Sequence, residues 1–246
     1  MRQHLRQRFS DIFSNEAEKV SWHESVEENG FAILPGLFSQ EYLDRFLQDL
    51  ANLAPRRSRT GVRHAMGVDP VAELARQAQM IGLARDILGP DAFPFRATLF
   101  DKSPAANWLV VWHQDTALPL RARADIPGWG PWSVKEGIHY AHGPTAALSK
   151  VLALRIHFDD SLSKNGPLRV LPGTHRLGVL ADGSVHEVST RITPVECIAP
   201  KGTVVAMRPL IIHSSSKSQT EIPRRVLHVE YAASESIVNP LHLAIA

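Results

Sequence analysis

The chain has 246 residues, with 27 Lys or Arg against 25 Asp or Glu, and its net charge of +2 makes no case for nucleic acid or a membrane as the main partner. The single cysteine, Cys197, excludes an intramolecular disulfide framework and suits a reducing compartment. No stretch approaches the roughly 20 apolar residues of a membrane span, and the polar start of the chain lacks the apolar core of a secretory signal, so the cytoplasm is the expected location.

The length fits one domain over residues 1–246. In its first third, helices and strands are interleaved. Residues 31–35, an apolar Phe-Ala-Ile-Leu-Pro run, read as a strand. Ser39 then caps a helix with Tyr42, Leu43, Phe46, Leu47 and Leu50 on one face. Asp69-Pro70 reads as a second helix start, the cap followed by proline at the first helical position. Val71, Leu74, Ala75, Ala78 and Ile81 form that helix's apolar face, and Gly89-Pro90 stops it.

After residue 90 the period becomes alternating. Phe95, Ala97 and Leu99 share one face of a strand, and Arg96, Thr98 and Phe100 the other. Further strand-like runs cover 108–113, 151–158, 168–171, 203–207, 210–213 and 225–231, separated by turn chemistry at Asn165-Gly166-Pro167, Pro172-Gly173 and Pro200-Lys201-Gly202. Helices first and many short strands later predict a mainly β fold with flanking helices, a sandwich or barrel. Residues 116–150, rich in Pro, Gly and Trp, fit no element. A connection of that length is a functional lid or a disordered stretch.

The residues that carry chemistry lie among these strands. In a strand, i and i+2 point the same way, so His113 and Asp115 can converge on one ion. They follow the apolar run Leu109-Val110-Val111-Trp112, at the mouth of a buried segment. A second histidine, His213, ends another apolar run, and Arg224 opens a third. Two imidazoles and a carboxylate form the facial triad that suits an O2-activating Fe(II), and an arginine's planar fork suits a carboxylate. Taken singly these signals are weak, because the chain has twelve histidines and short motifs match by chance. Alternation also leaves open whether Arg224 or Arg225 points inward. If Arg224 does, Val226, His228 and Glu230 do too, while Leu227 and Val229 face the other layer.

The order and spacing of the whole set are specific. The sequence resembles the phytanoyl-CoA dioxygenase family of Fe(II)/2-oxoglutarate oxygenases in four pieces from about residue 30 to 232. These are residues 30–39, the Trp112-His113-Gln114-Asp115 motif, the turn signature at 165–176, and His213-Ser214-Ser215-Ser216 with Arg224. The resemblance implies a double-stranded β-helix (jelly roll) with His113, Asp115 and His213 as Fe(II) ligands. It implies that Arg224, helped by the Ser215 hydroxyl, holds the distal carboxylate of 2-oxoglutarate, with Thr98 and Arg155 lining the cosubstrate pocket. It also implies an O2-using hydroxylase of an unactivated C–H in a small organic molecule, with succinate and CO2 as co-products. Halogenating relatives lack the carboxylate that Asp115 supplies, so its presence points to hydroxylation or another hydrogen-abstraction outcome.

Substrate signals are sparser. Arg56, Arg57, Arg59, Arg63 and His64 form a basic cluster that either meets an anionic substrate or is a solvated loop. Residues 116–150, with Trp129, Trp132, His139, Tyr140 and His142, are where a substrate lid is expected; here the chain departs most from the phytanoyl-CoA enzyme, which puts a CoA thioester in doubt. His157, Arg169, His175 and His228 are candidates for supporting positions, and Cys197 is expected to pack as a small apolar residue. Two other readings compete. A cupin-like isomerase or direct dioxygenase without 2-oxoglutarate predicts an Arg224 turned away from the metal. A non-catalytic binding jelly roll gives no reason for three convergent ligands.

Overall fold

The structure, a computed structural model, describes residues 16–53 and 61–246. Arg56, Arg57 and Arg59 of the basic cluster therefore lie outside the described residues. Helix α1 (Glu16–Asn29) leads into β1 (Phe31–Leu34) and α2 (Gln40–Asn52), followed by β2 (Gly61–Val62), α3 (Asp69–Ala75) and α4 (Ala78–Leu88). The chain then runs through β3 (Phe93–Lys102), β4 (Val110–His113), β5 (Ala117–Leu120), β6 (Trp132–Lys135), β7 (Ile138–His142), the short α5 (Thr145–Leu148), β8 (Val151–His157) and β9 (Leu168–Val170). It closes with α6 (Asp182–Arg191), β10 (Val195–Glu196), β11 (Val204–Met207), β12 (His213–Ser215), β13 (Arg224–Ala232), β14 (Ser236–Val238) and β15 (Leu241–His242).

Two antiparallel sheets carry the fold, in the orders β1-β11-β8-β13-β3-β2 and β10-β9-β12-β4. From β3 to β4, β8 to β9 and β11 to β12 to β13 the chain passes back and forth between them. That alternation is the double-stranded β-helix expected from the sequence. The outward face of the larger sheet presents Ala97, Leu99, Leu154, Ile156, Leu227 and Val229, all buried in one cluster with the apolar faces of α2, α3 and α4. Each fully buried Leu or Val there contributes about 1.5–3 kcal/mol. Because a strand alternates, this leaves Arg96, Thr98, Phe100 and Lys102 of β3, and Arg224, His228 and Glu230 of β13, on the inward face.

The first helix forms as expected: the Ser39 side chain accepts from the Tyr42 N–H at 3.2 Å, and Leu43, Phe46 and Leu50 are buried. The second differs. Val68, not Asp69, is the N-cap, with proline one position inside, and the expected single helix breaks at Arg76 and the extended Gln77. The break separates two apolar faces, Val71/Leu74/Ala75 and Met80/Leu83/Ala84, and lets both bury.

Two further expectations need correction. The 210–213 run is not a strand before His213: Leu210, Ile211 and Ile212 each enter a different apolar cluster, and the Ile212 N–H is satisfied by the Thr174 hydroxyl rather than by a ladder. Residues 116–150 contain a three-stranded sheet, β5-β7-β6, and the short α5, rather than no element at all. One of its faces puts Leu118, Leu120 and Ala141 into a core cluster with Trp129 and Trp132 packed against it. Cys197 packs in an apolar cluster, as expected.

Candidate active site

β12 lies between β9 and β4 with His213 directly opposite His113. This register brings two histidines one hundred positions apart onto one spot, their ring centroids 4.2 Å apart. Asp115 follows two residues after His113 and completes the group. Its Oδ1 is 3.6 Å from His113 Nε2 and its Oδ2 is 3.4 Å from His213 Nε2. One ligand atom from each residue lies within 4.8 Å of the others, an arrangement that could hold a metal ion.

The backbone orients both rings. His113 Nδ1 bonds to the Val111 carbonyl and His213 Nδ1 to the Ile211 carbonyl, both at 2.9 Å. A carbonyl only accepts, so each Nδ1 carries a proton and each Nε2 is the atom turned to the shared space, where it offers a lone pair whenever it is unprotonated. Burial pushes His213 down to about 4, partly offset by Asp115. Burial opposes charge on Asp115, but His213 and His113 together outweigh it and hold the carboxyl well below its usual range. For His113 burial is likewise outweighed, here by the bond and charge of Asp115, and its pKa is raised.

The middle residue of the motif points the other way. Gln114 Nε2 donates to the carbonyls of Gly178 and Leu210 at 2.8 and 2.7 Å, and its Oε1 accepts from the Leu180 N–H at 2.9 Å. With the Asp115 N–H bonded to the Pro209 carbonyl, Gln114 clamps the end of β4 against the segments that deliver His213.

A cavity of 180 Å³ runs from this triad into the barrel. Arg224, Ser215, Thr98 and Arg155, the four other residues singled out in the sequence, all line it. The choice between Arg224 and Arg225 is decided by geometry. Arg224 is buried, with Nη2 3.1 Å from Ser215 Oγ and Nε 3.2 Å from the Asn165 carbonyl. Arg225 faces the other way, onto the Asp159 carboxylate at 2.6 and 2.8 Å. Arg155 donates from Nη1 to His228 Nδ1 at 2.8 Å and lies 5.5 Å from the Phe100 ring centroid. Burial and then Arg155 keep His228 neutral, well below the ordinary histidine value.

Lys102 was not singled out from the sequence. It is fully buried, and its Nζ donates to Ser215 Oγ at 2.9 Å and to the Ser216 carbonyl at 2.5 Å. The alternation that puts Arg96, Thr98 and Phe100 on one face, continued by one step, reaches it. Burial first, then Arg224 and Arg155, push its pKa down to about 7. Among the described residues, no carboxylate lies within ion-pair distance of Lys102, Arg155 or Arg224, and Arg155 Nε has no hydrogen-bond partner. Buried cations without counter-charges are costly, and a bound dianion reaching from Arg224 toward the triad would neutralise them. The donor set therefore fits both a divalent metal and 2-oxoglutarate.

Of the other candidates, His157 shares Arg155's face of β8 and is held neutral, down to about 3, first by burial and then by the charges of Arg155 and Arg224. Arg169 lies over Trp112, 4.8 Å from its centroid, and His175 bonds to the Glu27 carbonyl; neither lines the cavity.

The sequence profile of the phytanoyl-CoA dioxygenase (PhyH) family matches residues 26–226. The chain is 28% identical over 188 residues to the L-proline trans-4-hydroxylase of Streptomyces griseoviridis, across 65% of this chain and 62%, less than two thirds, of that protein. It is 21% identical over 255 residues to the ectoine dioxygenase of Nocardia farcinica, across 88% of this chain and 78% of that one. Among solved structures, EctD from S. alaskensis with 2-oxoglutarate and 5-hydroxyectoine matches with a TM-score of 0.64 at 20% identity, covering 85% of this chain and 74% of that one. AviO1 from Streptomyces viridochromogenes matches with a TM-score of 0.64 at 21% identity, covering 87% and 94%. At these identities the structural likeness speaks to the fold. No helix among the described residues is long and apolar enough to cross a membrane.

Proposed function

The chain belongs to the phytanoyl-CoA dioxygenase family, and from that premise we propose that it is an Fe(II)- and 2-oxoglutarate-dependent dioxygenase that hydroxylates an unactivated C–H bond of a small organic molecule, releasing succinate and CO2. The observation that carries this reading is the pairing of His213 with His113, which gathers two Nε2 atoms and the Asp115 carboxylate at the end of a cavity whose buried cations lack counter-charges.

His113, Asp115 and His213 would hold the iron, and their single negative charge leaves a divalent ion partly uncompensated and open to anionic co-ligands. When bound, iron and 2-oxoglutarate supply the oxidising chemistry; the protein supplies position and electrostatics. Arg224 would hold the distal carboxylate through its planar fork, while Ser215 and Lys102 fix that end from the side. Each charge-assisted bond is worth about 1.5–3 kcal/mol. Arg155 and Thr98 sit along the wall between the two ends, where they would orient the cosubstrate's middle. Phe100, Val110 and Leu168 complete the wall and limit water. A metal enzyme that does not use 2-oxoglutarate would have no need of Arg224 and Lys102 at this depth.

Anaerobic addition of Fe(II) and then 2-oxoglutarate to the apo-protein tests the reading. A visible metal-to-ligand charge-transfer band and, on admission of O2, slow succinate formation are expected in wild type. Both should vanish in His113→Ala. A wild-type protein with neither band nor succinate would sink the proposal.

A further inference from the structure

The bond of 3.1 Å from Arg224 Nη2 to Ser215 Oγ joins β13 and β12 at one level of the cavity. From that level each strand advances about 7 Å for every two residues. On one wall the advance passes from Ser215 to His213, which stands opposite His113, and then to Asp115, two residues past His113. On the other wall it passes from Arg224 through Val226 to His228. His228 therefore stands level with Asp115 and across from it, and both line the cavity.

The His228 ring is fixed before anything binds. It is buried, and the register sets it between Thr98 of β3 and Arg155 of β8. Arg155 Nη1 donates to its Nδ1 at 2.8 Å. An arginine has no acceptor, so Nδ1 holds a lone pair and the one proton of the neutral ring sits on Nε2. Phe100 packs edge-on against the imidazole, with ring centroids 6.0 Å apart at 73°. The Arg155 guanidinium lies 5.5 Å from the same Phe100 ring. One arginine and one phenylalanine thus set both the tautomer and the plane.

Nε2 is left as a donor. It has no hydrogen-bond partner among the described residues, yet it is not sealed in protein, so it opens onto the cavity. A histidine that only filled this wall would have both nitrogens satisfied by protein. Here a buried cation without a counter-charge is committed to one nitrogen, and the other has nothing to bond until the cavity is filled.

We propose that His228 is a cosubstrate-binding residue, whose Nε2–H donates to an oxygen at the 2-oxo acid end of 2-oxoglutarate, on the side of the metal away from Asp115. Arg155 is the positioning residue that fixes the tautomer, and it acts on the cosubstrate through His228. This rests on the dioxygenase reading above and adds to it how the reacting end of the cosubstrate is held, as Arg224 holds the other end. A neutral donor suits that end, because it orients an oxygen without competing with the metal for its charge.

The test uses the full chain, loaded anaerobically with Fe(II) and titrated with 2-oxoglutarate. The energy of the visible band at saturation reports the metal-bound end, and the half-saturation point reports overall affinity. A hydrogen bond to the 2-oxo acid oxygens lowers the orbital that receives charge in this transition. His228→Phe should therefore move the band to higher energy and weaken 2-oxoglutarate about tenfold, as the loss of one hydrogen bond implies. His228→Gln keeps a neutral N–H and should restore much of both. Arg155→Met frees the tautomer, so it should move the band in the same direction and add little further shift in the His228→Phe background. Arg224→Lys should weaken affinity and leave the band in place. The proposal is overturned if His228→Phe leaves the band in place or, should that variant not fold, if Arg155→Met does. It is equally overturned if His228→Gln restores nothing or if Arg224→Lys moves the band as far. A wild-type protein without any band would count against the iron reading itself, and the proposal would fall with it.

Discussion

Arg224 and Lys102 show what two side chains contribute to one end of the cavity. Arg224→Lys keeps the charge and loses the fork, and 2-oxoglutarate affinity should fall about 10- to 100-fold in a titration of the visible band. Lys102, pushed down to about 7, gives a pH signature. A bound dianion favours its protonated form and raises its pKa, so binding takes up a proton above neutral pH. The sign follows: 2-oxoglutarate affinity should fall as pH rises from about 7 toward 9, by up to about tenfold per pH unit, and Lys102→Met should flatten the profile. The residue types at 113, 115, 213 and 224 were legible because metal and carboxylate chemistry demands them. Lys102 was not, because a lysine near a strand end is ordinarily solvated; only its burial against Ser215 and Ser216 shows otherwise.

The proposed ligands depend on how strand ends are held, and two residues without chemistry of their own hold them. Gln114 occupies the middle of the metal motif, yet its three hydrogen bonds tie β4 to Gly178, Leu180 and Leu210. Gln114→Ala strands buried carbonyls and should cost about 1–3 kcal/mol in denaturant unfolding, with weaker Fe(II) binding because His113 and Asp115 are released with it. Gly166 has a positive φ of 69°, and a Cβ there would collide with the Ser216 carbonyl beside Lys102. Gly166→Ala should therefore weaken 2-oxoglutarate binding more than Fe(II) binding, measured by separate titrations. Periodicity made the long elements legible, such as α2 and the two faces of β3. It misread the helix after Asp69 and the run before His213, where apolar residues serve different clusters and no single period applies. The 116–150 segment hid its sheet because Pro and Gly outweigh its short alternating runs.

At the scale of the molecule, the site joins both sheets, so filling it should stabilise the whole fold. Fe(II) alone at about a hundredfold above its dissociation constant contributes roughly 2.7 kcal/mol. For a chain of this size that is a rise in Tm of roughly 5–10 °C, which a chelator should reverse and His113→Ala should lack. The sequence by itself determined the chemical kind of this protein. The residue types, their order, and the strand periodicity that surrounds them are local properties, and a family resemblance could be read from them across most of the chain. Tertiary structure alone decided which groups meet. The antiparallel pairing of β12 with β4 sets His213 opposite His113, the ladder from β3 to β13 turns Arg224 inward and Arg225 out, and the packing of the β5-β7-β6 sheet brings the Ala117 carbonyl to Arg96. Contacts between residues far apart in the chain are fixed by register and burial, and neither is a property of any short stretch of sequence.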